Sequence, residues 1–194
     1  MIIKEKQINS AIKTLDKGNI LIYQTDTLYG LGADATNTSA IEKINKLKKR
    51  KTPLSIMVAS LNEIEKYAVI NSDTKKELKK IFPGPFTALL QSKKTKLSYL
   101  VQNQSDKIGI RIPNHPFCLD LLNEYKKPII TTSVNTHGEK PLNNIDEIEK
   151  KFSKINIYYQ NNNLDSKGST IVDFTKNPPL LIRKGDGKYN YGNI

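Results

Sequence analysis

Short apolar runs restrict the fold class of this chain more than any other feature. Asn19–Gln24 (NILIYQ), Leu54–Val58 (LSIMV), Phe86–Gln91 (FTALLQ) and Pro128–Val134 (PIITTSV) are too short for helices and too apolar for solvated strands. Such runs read as buried strands, and a strand buried on both faces needs helices packed against its sheet. The intervening segments supply them. Ile8, Ala11, Ile12 and Leu15 recur at helical spacing, and Gly18 stops that helix. Thr38 or Asn37 can cap a second helix, whose Ala40, Ile41, Ile44 and Leu47 form one apolar stripe. Ser72–Phe82, Pro116–Tyr125 and Ile145–Phe152 read as helices; Ile155–Tyr159, Ser169–Phe174 and Leu180–Arg183 read as strands. Strands and helices alternate without strict βαβ regularity, which predicts an α/β or α+β fold with a mixed, twisted sheet. With 194 residues and no internal repeat, one domain over 1–194 is expected.

Composition narrows the function. Hydrophobic content of 37% and charged content of 26% are those of a globular chain. The single Cys118 excludes an internal disulfide framework, and its setting in PFCLDLL predicts burial. The start MIIKEKQINS lacks the apolar core of a signal peptide, and no run approaches the roughly 18 apolar residues of a membrane helix. A cytoplasmic location without membrane contact is expected. His115 and His137 are the only histidines and lack metal-ligand spacing, so no protein-bound metal is expected. The net charge of +12 favours a polyanionic partner such as RNA, or anionic substrates.

Four stretches carry chemistry. Gln24–Gly32 (QTDTLYGLG) offers three hydroxyls, the Asp26 carboxylate and two glycines, and reads as a loop that approaches a ligand. Lys43–Lys51 (KINKLKKRK) then supplies six positive charges, which together with that loop suggest a phosphate-bearing ligand. Neither a GxxxxGK[ST] nor a strand-linked GxGxxG is present. In Lys107–Ile112 (KIGIRI), Arg111 shares a face with Gly109, and the glycine is expected to leave room for something to approach. Ser133 and Asn135 alternate at the end of a strand, where α/β sheets bind ligands.

In order, TDTLYGLGADATN, Lys48-Lys49-Arg50 with Pro53-Leu54, PGPFT, IGIRIPNHP, TTSVN, STIVD and LIRKG resemble the YrdC/TsaC family of threonylcarbamoyl-AMP synthases. The resemblance runs from Leu21 to Gly185 and fits the short single-domain form. It implies an α/β fold with a YrdC-like twisted open mixed sheet, flanking helices and a basic concave cavity. It also implies synthesis of threonylcarbamoyl-AMP and pyrophosphate from L-threonine, bicarbonate and ATP. Mg²⁺ would accompany ATP, bound through phosphates more than by the protein. The product would pass to the tRNA threonylcarbamoyl-transferase machinery, which modifies the adenosine beside the anticodon. Lys48 and Arg50 match the family's KxR and would act on the triphosphate as the catalytic pair. Ser133 and Asn135 match its SxN and would bind nucleotide, with Arg183 of LIRKG alongside. Arg111 matches the arginine of GxRxP and would pair with the threonine carboxylate. Thr27, Thr131 and Ser169 would line the threonine pocket.

The chain departs from the family pattern at two places. Between Arg50 and Pro53 it has only Lys51 and Thr52, a tighter loop than usual. After Asn135 it reads THGEKP, so His137 stands where many members have serine and Pro141 where another small polar residue is common. The short loop and the net charge favour an alternative, a YciO-like RNA-binding protein of the same fold without efficient synthase activity. A carbamoyl-transfer domain of hydrogenase maturation proteins ranks lower, because the zinc-finger cysteines are missing. Tyr189–Ile194 is expected either to fold over the cavity or to fray.

Overall fold

The structure is a computed structural model that describes residues 2–4, 7–49, 52–161 and 163–189. The first half runs β1 (Ile2–Lys4), α1 (Ile8–Asp16), β2 (Leu21–Gln24), β3 (Tyr29–Gly32), α2 (Thr38–Lys48), β4 (Ser55–Met57), α3 (Leu61–Tyr67), β5 (Ala68–Val69) and α4 (Ser72–Ile81). Then follow β6 (Phe86–Ser92), α5 (Tyr99–Gln102), β7 (Lys107–Arg111), α6 (Pro116–Tyr125) and β8 (Ile129–Ser133). The chain closes with α7 (Ile145–Phe152), β9 (Asn156–Tyr159), β10 (Thr170–Asp173) and β11 (Leu180–Arg183).

The strands form one open sheet in the order β1-β9-β2-β3-β8-β4-β7-β6-β10-β11, with β5 attached to β6. Pairing is mixed, as the irregular alternation predicts. β9 lies parallel to β1 and β2, β4 to β7, and β6 to β10, while the remaining pairs are antiparallel. Alternation sends Ile56, Ile110, Ile130, Ala88 and Val172 to the back, where they pack with residues of α2, α3, α4 and α5. Ile22, Leu31 and Ile157 pack there against α7. On the front, Tyr23, Met57 and Ile129 pack under α1 and α6 through Leu15, Phe117 and Leu121. Cys118 is buried in that front layer, and its Sγ donates to the Gln24 carbonyl at 3.3 Å.

The stretch expected as a ligand loop is half strand. Tyr29–Gly32 is β3, antiparallel to both β2 and β8. Its glycines serve packing across strands. A Cβ on Gly32 would lie 2.5 Å from the Tyr23 ring, and one on Gly30 would lie 3.0 Å from it. The Tyr23 hydroxyl then reaches across β3 and donates to the Ile130 carbonyl at 3.1 Å. Glycine is a weak strand signal, so its role here is hidden in the sequence. The short β1, α3, β5 and α5 are likewise absent from the sequence reading. Of the two capping candidates Asn37 acts, its side chain accepting from Ala40 N at 3.0 Å.

Helix α6 ends at the exposed Lys126, which adopts the left-handed conformation at φ 60°. That conformation strains any residue with a Cβ, and glycine is its usual occupant. Lys126→Gly is expected to stabilise the fold by about 0.5–1 kcal/mol. Urea unfolding checks this as a higher midpoint with an unchanged slope.

Candidate functional site

A cavity of about 400 Å³ opens on the front face, lined from β3, β4, β6, β7, β8, β10 and β11. Register builds its floor. Gly30 pairs with Ser133, Thr131 with Ser55, and Ser55 with Gly109. Farther along, Thr87 pairs with Ile171, and Ile171 with Arg183. The strands that send isoleucines back therefore present hydroxyls and guanidiniums in front. Gly109 does not leave space for a ligand, contrary to expectation. A Cβ there would lie 2.4 Å from Ser55 Oγ, so the glycine seats that hydroxyl instead.

The first wall is the turn between β2 and β3. Thr25 Oγ1 donates to the Leu28 carbonyl at 2.7 Å and accepts from Thr27 N at 3.1 Å. This self-braced turn presents Asp26 and Thr27 to Arg111, the last residue of β7. Arg111 Nη2 donates to Asp26 Oδ1 at 2.8 Å and to Thr27 Oγ1 at 3.1 Å. Arg111 and Thr131 line the cavity, and Thr27 contributes through its bond to Arg111.

His115 occupies the N-cap position of α6 and is buried. Its burial lowers its pKa below the ordinary 6.5, and the Asp26 charge opposes this only in part. The folded state therefore binds fewer protons at His115 than the unfolded state does. Stability should be full above pH 6.5 and fall as pH drops through the folded pKa. Urea unfolding across pH 7.5 to 5.5 should show this loss, and His115→Gln should flatten it. A profile unchanged by the substitution would refute the assignment. Carboxylates titrate below this window in their ordinary range, near pH 4.

The second wall is the end of β8. Ser133 Oγ donates to Asn135 Oδ1 at 2.8 Å, so the two side chains do face one side. Lys48, the last residue of α2, is only 1% exposed. Its amine donates to the Ser133 carbonyl and to Asn135 Oδ1, each at 2.6 Å, and to the Asn135 carbonyl at 3.2 Å. Lys48 thus braces Ser133 and Asn135 from behind. His137 N donates to the Lys48 carbonyl at 2.9 Å, and Pro141 lines the cavity beyond it. Arg50 and Lys51 lie outside the described residues.

The third wall joins β6, β10 and β11. Arg183 Nε and Nη2 donate to the Ser169 carbonyl at 3.1 and 2.8 Å, and Nη2 also reaches Ser169 Oγ at 3.0 Å. Ser169 Oγ lies 2.8 Å from Thr87 Oγ1. Reduced hydration, and secondarily the charge of Arg111, lower the Arg183 pKa. Two guanidiniums facing one cavity favour an anionic occupant. Below them Tyr189 packs edge-on against Phe86 and Phe174. The rest of the Tyr189–Ile194 segment lies outside the described residues.

Ser55, Thr87 and the Asp26–Arg111 pair were not picked out from sequence. The available signal was a polar residue inside an otherwise buried strand, and an aspartate between two threonines. Among the described residues no group of three His, Cys, Asp or Glu could hold a metal, and no helix is long and apolar enough to cross a membrane.

The sheet, with its cavity of hydroxyls and guanidiniums, defines an α/β protein suited to a small anionic ligand. More particularly, the chain belongs to the Sua5/YciO/YrdC family, whose profile, described as telomere recombination, matches residues 13–185. It is 38% identical over 190 residues to a putative threonylcarbamoyl-AMP synthase of Methanocaldococcus jannaschii, covering 94% of this chain and 87% of that one. Escherichia coli YciO has the same fold at TM-score 0.86 and 25% identity, over 97% of this chain and 96% of that one. P. abyssi Sua5, solved in complex with L-threonine, matches at TM-score 0.86 and 27% identity over 95% of this chain. This chain spans 57% of that longer protein. The family read from the motifs is therefore the right one.

Proposed function

We propose that the protein is an L-threonylcarbamoyl-AMP synthase. The observation that carries this is Arg111, fixed by Asp26 and Thr27 at one wall of a hydroxyl-lined cavity that Ser133 and Asn135 also line. The amine of L-threonine, after losing a proton, would attack the carbon of carbon dioxide released from bicarbonate and form a carbamate. A carbamate oxygen would then attack the α-phosphorus of ATP, and the bond to pyrophosphate would break. Charge shifts among phosphate oxygens, so positioning and positive charge do the protein's work.

Each wall has a part in this scheme. Arg111 would pair with the threonine carboxylate as a planar fork, beside Thr27, Thr131 and Ser169. Ser133, Asn135 and Arg183 would hold the nucleotide, with Arg50 toward the triphosphate and Lys48 acting through the Ser133 and Asn135 that it braces. Mg²⁺ would neutralise phosphate charge and arrive with the nucleotide. The adenylate would pass to the machinery that modifies tRNA.

Pyrophosphate release from ATP and Mg²⁺ tests the reading. Release that needs both L-threonine and bicarbonate supports it, and release that ignores threonine overturns it. A second reading is favoured by the charge of +12 and by near-complete mutual coverage with YciO. On that reading the protein binds RNA, with an affinity that falls steeply as salt rises. No RNA binding at low salt would remove it.

A further inference from the structure

A second cavity, of about 480 Å³, shares no residue with the first. The first meets the chain just after β2, at Thr25, and this one just before it, at Asn19 and Ile20. Lys13 and Lys17 line it from the end of α1, Lys43 from α2 and Lys154 from the turn before β9. Among the described residues no carboxylate lines it: Asp16 and Glu42, the acidic residues of α1 and α2, lie outside its wall. The amines of Lys13, Lys17 and Lys154 have neither an ion pair nor a hydrogen bond among the described residues, whereas Lys66, Lys75 and Lys107 do pair with carboxylates. Nor does the end of α1 need these charges. The Lys13, Thr14 and Leu15 carbonyls already accept from Lys17 N at 3.3 Å, Asn19 N at 3.1 Å and Gly18 N at 2.8 Å.

Two features give the cavity a fixed frame. The Lys43 amine donates to the Gly18 carbonyl at 2.7 Å and to Asn19 Oδ1 at 3.2 Å, which holds its charge at the rim. Asn156 Nδ2 donates to the buried Thr14 hydroxyl at 3.2 Å, and the second N–H of that amide remains to offer. A concave wall of one charge sign concentrates ions of the other. Amines are point charges without a fork, so they suit the spread charge of phosphate groups better than a single carboxylate. The volume falls in the small-molecule range of roughly 300–1,000 Å³. We propose that this cavity is a second anion site, which takes a small ligand bearing phosphate groups. The site is independent of the synthase reading of the first cavity, and that reading can fail without changing any outcome below.

NMR titration of the isotope-labelled full chain with inorganic pyrophosphate tests this. The amides of Lys17, Asn19 and Asn156 should shift saturably, separately from any shift of Gly30 and Thr132 in the first cavity. Lys17→Gln/Lys154→Gln should weaken the binding read at Asn19 and Asn156 by roughly 10-fold. Lys94→Gln/Lys96→Gln removes the same charge from the exposed loop after β6 and should leave that binding within about twofold. An equal loss in both variants would mean general attraction to a chain of charge +12 and would overturn the site. Unshifted amides at Asn19 and Asn156 in the wild-type protein would overturn it whatever the variants do. A short single-stranded RNA is the last arm. If RNA shifts these amides and pyrophosphate does not, the lysines grip a nucleic-acid backbone, and the small-ligand assignment fails.

Discussion

Arg111→Ala is expected to lower threonine-dependent pyrophosphate release by at least about 100-fold and to destabilise the fold by about 3–5 kcal/mol. Both effects come from one geometry. The guanidinium satisfies Asp26 Oδ1 and Thr27 Oγ1 with a single nitrogen, Nη2. Removing it strands the Asp26 carboxylate, whose side chain is 7% exposed. An uncompensated buried charge is the costly outcome, more than the loss of the pair itself. Arg111→Lys separates the two effects. A lysine keeps the charge near Asp26 and recovers much of the stability. It lacks the planar fork, so it cannot serve Asp26, Thr27 and a substrate carboxylate together. Activity should therefore remain low in Arg111→Lys while the urea midpoint moves back toward wild type. Recovery of activity together with stability would show that charge alone suffices at this position.

Gly185→Ala should be nearly as severe without touching any side chain that meets substrate. A Cβ at Gly185 would lie 2.1 Å from the Gly168 carbonyl oxygen, 2.5 Å from Ser169 C and 2.6 Å from Ser169 O. All three atoms are backbone, so no rotamer change relieves the clash. The expected cost is about 3 kcal/mol, the upper part of the overpacking range. The displacement falls on the carbonyl that accepts from Arg183, so nucleotide affinity should drop with stability. Gly138→Ala is the control. None of the described residues lies within 4 Å of its Cβ position, and its φ of +82° leaves only backbone strain of about 1 kcal/mol. Urea unfolding and ATP titration of both variants would check the contrast. A Gly185→Ala protein as stable as Gly138→Ala would refute the packing account.

Much of this architecture is legible in the chain because it rests on burial. LSIMV and PIITTSV announce themselves as β4 and β8, since a central strand needs apolar residues on both faces. Ser133 and Asn135 are legible for the opposite reason: two polar residues at period two, just past such a run, have one side to face. The glycines of β3 mislead, because what they accommodate is a tyrosine on the neighbouring strand β2 and not a ligand. Gly109 misleads in the same way, through the Ser55 hydroxyl on the neighbouring strand. Partners of this kind are set by register between strands, and a single strand's sequence does not encode them. Lys48 lies in a run that reads as charge for a phosphate-bearing ligand, and only the end of β8 shows why its amine turns inward.

The alternation that divides β7 and β8 between core and cavity has a consequence for folding errors. Ile110 and Ile130 face back while Arg111 and Thr131 face front on the same strands, so a one-residue slip would exchange the two sets. Such a slip would place Arg111 and Thr131 among the back-face isoleucines and fill the cavity with Ile110 and Ile130. Misregistered molecules can therefore be neither stable nor ligand-competent. The titrated binding stoichiometry of a preparation would then count the correctly paired molecules, making the ligand an internal proofreader of the sheet.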